Sequence, residues 1–159
     1  MNLRKANEKD LDRVAALYAG AIGTEGCTWS ENYPTREDMQ KDFQARSLYV
    51  LEVGGQVVGA ASVAPEHDLD VVDCWSSVDG VYHEIARVVV DRSCAGQGYA
   101  VKMLALLLEE LKDSGCRMVH LAVGCHHGAA IRTYEKLGFT FLKQCPLFGH
   151  DYYLCEKAL

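Results

Sequence analysis

The chain has no surplus of positive charge. Its 16 lysines and arginines face 22 aspartates and glutamates, for a formal net charge of −6. No basic cluster is long enough to follow a phosphate backbone, which excludes nucleic acid as a partner. Long apolar runs are also missing. Met103 to Leu108 is as long as any, far short of the roughly 20 residues that a membrane span requires. The N-terminal MNLRKANEKD lacks the apolar segment of a secretory signal, so the expectation is a cytoplasmic protein without a membrane partner. No CxxC occurs. The 7 cysteines (27, 74, 94, 116, 125, 145, 155) are odd in number and irregularly spaced, which speaks against a disulfide framework and for reduced thiols. Repeats, low-complexity stretches and linkers are absent too.

What is present is an ordinary globular composition. Of the 159 residues, 49% are hydrophobic and 24% charged, enough for one domain over 1–159 with a real core. A short strand is expected at 2–6. Asn7, with Asp10 three residues on, caps a helix whose apolar positions Leu11, Val14, Ala15, Tyr18 and Ile22 keep helical spacing up to Gly23. Thr35 caps a second helix through Arg46, with acids Glu37 and Asp38 in its first turn. LYVLEV and QVVGAASVA flank Gly54-Gly55, a hairpin signal. Residues 65–80 are polar and without period. VYHEIARVVV reads as a strand, Gly98 to Ser114 as a helix ended by Gly115, RMVHLAVG as a strand and 128–137 as a helix ended by Gly138. FTFLKQC and DYYLCEKAL read as two closing strands. The order β-α-α-β-β-β-α-β-α-β-β gives an α/β fold, a mixed sheet flanked by helices.

AGQGYA, residues 95–100, sits where an apolar strand meets a helix. Two glycines there suit either a phosphate approaching the backbone or a plain structural turn. A dinucleotide fingerprint needs a third glycine and an acid ending the next strand, and that strand ends in Val123-Gly124. A Walker A loop needs G-K-[ST], and Gly98 is followed by Tyr99. Both are excluded.

VVVDRSCAGQGYAVKML, followed some thirty residues later by HGAAIRTYEKLGF, resembles the GCN5-related N-acetyltransferase (GNAT) family, whose members use acetyl-coenzyme A. The family's first motif, [RQ]-x-x-G-x-[GA], is met by Gly98 and Ala100. The second, N-x-x-A-x-x-x-Y-x-x-x-G-F, is met by Ala130, Tyr134, Gly138 and Phe139. Two positions depart: Ala95 stands where the family has Arg or Gln, and His127 where it has Asn. The resemblance implies a single-domain GNAT-like fold with a mostly antiparallel sheet. It implies acetyl-CoA as cosubstrate, no metal, and acetyl transfer to a primary amine of a small molecule, an amino-acid derivative or a peptide N-terminus. Gly96, Gln97, Gly98, Tyr99 and Ala100 would bring their N–H groups to the pyrophosphate, with Ala95 at the opening position of the same coenzyme site. Arg92 and Lys102 are near enough to replace the missing arginine's charge. His127 and Ala130 would flank the pantetheine arm, and Val88, Val89 and Val90 would pair with its amides and present an N–H to the oxyanion.

Direct attack requires a free amine, a held thioester, oxyanion stabilisation and a proton for the thiolate, and no enzyme nucleophile. The resemblance gives the proton to Tyr134. Glu84, eleven residues ahead of Ala95, stands where some family members carry a base. Unbroken alternation would place it on one face with Ala86, Val88 and Val90. The acceptor site would draw on GTEGCTWSENYPT, PEHDLDVVDCWSSVDG and CPLFGHDYY, whose acids and aromatics suit a cationic amine. Two other classes stay open: a coenzyme A-binding sensor without catalysis, which Ala95 favours and Tyr134 opposes, and a Cys/His metal protein. For the latter, His120, Cys125, His126 and His127 are too close in sequence to converge easily on one ion. A homodimer through DYYLCEKAL as an apolar edge strand is the remaining partner expectation.

Overall fold

β-Branched and apolar runs separated by glycine turns lay down seven strands, and the computed structural model describes all of residues 1–159. The strands are β1 (Asn2–Lys5), β2 (Leu48–Val53), β3 (Gln56–Ala64), β4 (Val81–Val90), β5 (Cys116–Gly124), β6 (Thr140–Leu147) and β7 (His150–Ala158). The helices are α1 (Leu11–Ala21), α2 (Arg36–Gln44), α3 (Tyr99–Asp113) and α4 (Gly128–Lys136). All strands form one sheet in the order β1-β2-β3-β4-β5-β7-β6, with only β4 and β5 parallel. The expected mixed, mostly antiparallel α/β architecture is therefore present.

Local chemistry accounts for most boundaries. Asn7 and Asp10 make the capping box, although the first turn they close is a 3₁₀ turn at Glu8–Asp10, with α1 following directly. Thr35 and Asp38 make a second box at α2. Gly54 and Gly55 both have positive φ in the β2–β3 turn. Leu104, Leu107, Leu108 and Leu111 pack α3 on one face of the sheet with Tyr134 of α4. Val14, Leu17, Tyr18 and Met39 pack α1 and α2 on the other. No helix is long and apolar enough to cross a membrane.

Two features differ from the sequence expectation. DYYLCEKAL is not an edge: β7 lies between β5 and β6, so the outer strands are β1 and β6. The hairpin to β6 folds back outward and leaves β7 the inner place. Second, the alternation of β4 is broken. Ala60 pairs with Val89 but Ser62 pairs with Ala86, so Arg87 and Val88 together oppose the single residue Ala61. This is a β-bulge, with Arg87 at φ +52. Beyond it the faces exchange. Glu84, Ala86 and Val89 look toward α1 and α2, whereas Ile85, Val88 and Val90 pack on the α3 side. Glu84 thus does not share a face with Val88 and Val90.

Candidate functional site

The bulge has an evident cause in burial and charge. Arg87 Nε and Nη2 donate to the two carboxylate oxygens of Asp42 in α2 at 2.6 and 2.8 Å, Ser62 Oγ adds a third bond to Asp42 at 2.6 Å, and Arg87 Nη1 reaches the Tyr33 hydroxyl at 3.0 Å. The Asp42 side chain is 1% exposed and that of Arg87 9%. A non-glycine residue at positive φ costs about 1–3 kcal/mol, and a bidentate charge-assisted pair in this setting offsets it. The salt bridge therefore pins the kink in β4.

The kink opens the sheet. Register between β4 and β5 runs from Val81–Cys116 to Glu84–His120 and then stops. From Ile85 onward β4 has a partner only in β3, and from Leu121 onward β5 only in β7. Asp91 N–H donates to Val58 of β3 at 2.7 Å, so alternation turns the Val90 N–H to the open side. The gap is a slot of unpaired strand backbone, the kind of edge that an amide-bearing chain can pair with.

At the mouth of the slot, a 3₁₀ turn at Arg92–Cys94 leads into the N-terminus of α3. Gly96 and Gly98 take φ +78 and +75, and a Cβ at either would meet nothing within 4 Å. The glycines are required for conformation and leave open space before the loop. Ala95 and Gln97 N–H are used internally, by Arg92 and Cys94 carbonyls at 3.2 and 3.4 Å. The free amides are those of Gly96, Gly98, Tyr99, Ala100 and Val101, so of the expected donors Gln97 has its N–H engaged, and Val101, not anticipated, is free beside the others. With no side-chain cap on α3, these donors and the positive end of a 15-residue helix face outward together, an anion cradle. Arg92 and Lys102 are both exposed beside it, Lys102 with its ammonium over the Tyr99 ring at 5.8 Å.

His127 and Ala130 lie at the start of α4, just beyond the end of β5. Burial pushes the His127 imidazole below its ordinary pKa, so it stays neutral, and its Nδ1 is buried without a partner. Gly26 of the α1–α2 loop packs so closely on this turn that a Cβ would lie 2.2 Å from the His126 carbonyl oxygen. Tyr134 is 6% exposed, in edge contact with Phe139 at 5.5 Å. Burial, and secondarily Cys155, drives its hydroxyl pKa upward. It therefore remains a loaded donor throughout the physiological range.

Glu84 stands on the opposite face at the closed end of the slot, 3% exposed. Burial pushes its carboxyl up to about 7, aided by the charges of Asp70 and Asp68 and opposed by the Leu69 N–H that it accepts at 3.1 Å. A carboxylate poised there suits general-base work. The sheet thus separates the Glu84 carboxyl on one face from the Tyr134 hydroxyl on the other.

Several site residues gave little warning in sequence. Residues 68–76, featureless by period, cover the face around Glu84 and carry Leu69, Trp75 and Ser76 into contact with it and its neighbours. A cavity of about 260 Å³ on this side is lined by Tyr33, Asp38, Lys41, Asp42, Glu66, Asp68 and Arg87. The signals were an arginine within EIARVVV and a histidine within RMVHLAV. His120, Cys125, His126 and His127 do not converge: His120 faces Trp75, and no group of three or more His, Cys, Asp or Glu side chains could hold a metal ion. All 7 cysteines are free thiols.

A family model described as the acetyltransferase (GNAT) family matches residues 15–139. An L-amino acid N-acyltransferase of Escherichia coli K12 is 26% identical over 155 residues, covering 94% of this chain and 85% of the relative. An L-methionine sulfoximine/L-methionine sulfone acetyltransferase of Salmonella typhimurium LT2 has the same identity and coverage. Among solved structures, a Streptococcus agalactiae acetyltransferase of the GNAT family superposes with TM-score 0.84 at 21% identity, covering 99% of this chain and 95% of its own. A Salmonella typhimurium acetyltransferase determined with acetyl-CoA gives TM-score 0.75 at 24% identity, covering 99% and 93%.

Proposed function

The chain belongs to the GNAT acetyltransferase family, and from that premise we propose that it transfers acetyl from acetyl-CoA to the primary amine of an amino acid, amino-acid derivative or peptide N-terminus by direct attack. The observation that carries this reading is the slot between β4 and β5, with an amide cradle at its mouth and Glu84 at its closed end. In this reading the free N–H groups of Gly96, Gly98, Tyr99, Ala100 and Val101 hold the pyrophosphate. The unpaired edge of Val88 to Val90 holds the pantetheine amides, with His127 and Ala130 alongside, and a Val88–Val90 N–H meets the oxyanion.

Glu84 takes a proton from the acceptor ammonium, whose lone pair then attacks the thioester carbon. The tetrahedral intermediate expels the thiolate, Tyr134 protonates the sulfur, and the second proton that the product nitrogen sheds returns through solvent to the Tyr134 phenolate. Base and acid on opposite faces fit this order, since the amine arrives on one side of the carbonyl and the sulfur departs on the other. On the Glu84 face, the cavity's carboxylates Asp38, Glu66 and Asp68 favour an ammonium, as Coulomb attraction strengthens in a confined site. With Arg87 committed to Asp42, Lys41 is left to meet a substrate carboxylate. The relatives' names, L-amino acid N-acyltransferase and L-methionine sulfone acetyltransferase, support an acceptor carrying both groups.

The test is release of coenzyme A thiol from acetyl-CoA against L-methionine, L-methionine sulfone, an alanyl peptide and a simple alkylamine. Turnover on the amino acids above the alkylamine supports the assignment. Tight coenzyme binding with no turnover on any amine would instead mark a coenzyme A-binding sensor.

A further inference from the structure

Beside Glu84 lies a titratable side chain that the reaction as described does not use. Glu84 of β4 pairs in register with His120 of β5, and His120 pairs with Glu156 of β7. Register partners on neighbouring strands share a face about 4.8 Å apart. A carboxyl, an imidazole and a second carboxyl therefore stand abreast across three strands, 3%, 3% and 7% exposed.

The segment between β3 and β4 roofs this row. Leu69 N–H donates to Glu84, the Trp75 ring lies flat on His120 with centroids 4.0 Å apart and planes 15° apart, and Ser76 N–H donates to Glu156 at 3.0 Å, with Ser76 Oγ on the same carboxylate. Trp75 is itself tied by its Nε1–H to the Leu69 carbonyl at 3.0 Å. Both carboxyls have partners. His120 has none: Nδ1 and Nε2 are both buried and unpartnered. Stacking between Trp75 and Tyr82 explains a ring here but not a ring with a donor and an acceptor, groups that folds rarely bury unmade.

We propose that His120 is a positioning residue for the transfer, acting through Glu84 as the relay that empties it. This rests on the reading of Glu84 as the base. The ammonium N–H bond breaks with its electron pair staying on nitrogen, and an O–H forms on Glu84. That O–H then breaks to restore the carboxylate as an N–H forms on His120. The imidazolium stands between two carboxylates, and its proton leaves past Glu156 and the exposed Ser76 to solvent. Acetylating an ammonium releases one proton overall, so the ledger of protons closes without any redox partner.

The charged and titratable groups around His120 are Glu84 and Tyr82 from β4, Glu156 from β7, and Asp70 and His67 from the roof. Burial, then His67, disfavours the imidazolium, while Glu156 and Asp70 favour it. The ring rests neutral, ready to accept.

Glu84→Gln and His120→Gln are to be assayed together, using the best acceptor of the amine panel, with kcat and both KM values followed from pH 6 to about pH 10, toward the amine's own pKa. His120→Gln should lower kcat about tenfold or more near neutrality, a modest part of what acid–base groups supply, with both KM values unchanged. The deficit should close as the pH rises and the amine becomes free base. Wild-type kcat at every pH, or an equal loss at every pH, overturns the relay. If Glu84→Gln is impaired and His120→Gln is not, the relay fails and the base reading stands; if Glu84→Gln is unimpaired, both fail. Should His120→Gln not fold, ¹⁵N-imidazole spectra of the intact wild type and of Glu84→Gln decide the matter. A displaced His120 titration in Glu84→Gln supports the coupling, and superimposable titrations refute it.

Discussion

Glu84→Gln should make the protein more stable above neutrality while it disables it. In the fold the Glu84 carboxyl is pushed from 4.5 up to about 7, chiefly by burial, whereas in the unfolded chain it titrates near its ordinary value. Between those limits the fold holds a proton that the unfolded chain has released. Stability from this group is therefore complete below about pH 4.5, falls as the pH rises and levels off above about pH 7. At about 1.36 kcal/mol per pKa unit, the full cost at pH 8 is about 3 kcal/mol. Glutamine carries no charge and its carbonyl can still accept the Leu69 N–H, but its amide brings buried donors that cost about 1 kcal/mol. The net gain at pH 8 is about 2 kcal/mol, vanishing or reversing at pH 5. Urea unfolding of both proteins at the two pH values measures it, and the difference between them cancels the histidines that titrate in the same window away from Glu84. The same preparations should show kcat reduced on the order of 10²-fold, and the wild-type kcat/KM should rise through an acid limb near pH 7. Equal stability of the two proteins at pH 8 would refute the buried, proton-holding Glu84; undiminished kcat would refute its role as base.

Gly98→Val should fold, since a Cβ there meets nothing. A β-branched residue at φ +75 must nonetheless distort the amide cradle, raising the KM for acetyl-CoA by about tenfold or more, or ~1.4 kcal/mol; titration of the folded variant with coenzyme A checks it. Ala95→Arg should tighten coenzyme binding by about 1 kcal/mol through one charge-assisted contact, read by the same titration. Tyr134→Phe should leave fold and coenzyme affinity intact and lower kcat on the order of 10²-fold. The loss should be smaller for acyl donors with more acidic leaving thiols, and steady-state assays across a donor series test it. Asp42→Ala should cost about 3–5 kcal/mol in urea unfolding, because it strands the buried Arg87 charge, and should also lower activity, because the β4 kink loses its anchor.

Much of the molecule was legible along the chain. Asn7 with Asp10 and Thr35 with Asp38 close helix ends within four residues, and Gly54-Gly55 turns a hairpin. Gly96 and Gly98 bend the backbone ahead of α3 because only glycine reaches their φ cheaply. These are local energies, and local spacing records them. The spacing of AGQGYA and YEKLGF carried the family resemblance in the same way. What the tertiary structure alone decided are the terms joining residues far apart. Asp42 and Arg87 lie 45 positions apart, yet their ion pair sustains the bulge that reverses the faces of β4. Alternation read from sequence assumes an unbroken pleat and so set Glu84 beside the wrong valines. The inner place of β7 depends on which strand β5 prefers, a competition of pairings that no single segment encodes. Residues 68–76 have no period of their own because their partners, Glu84, His120 and Glu156, sit on three different strands that only the folded sheet brings abreast.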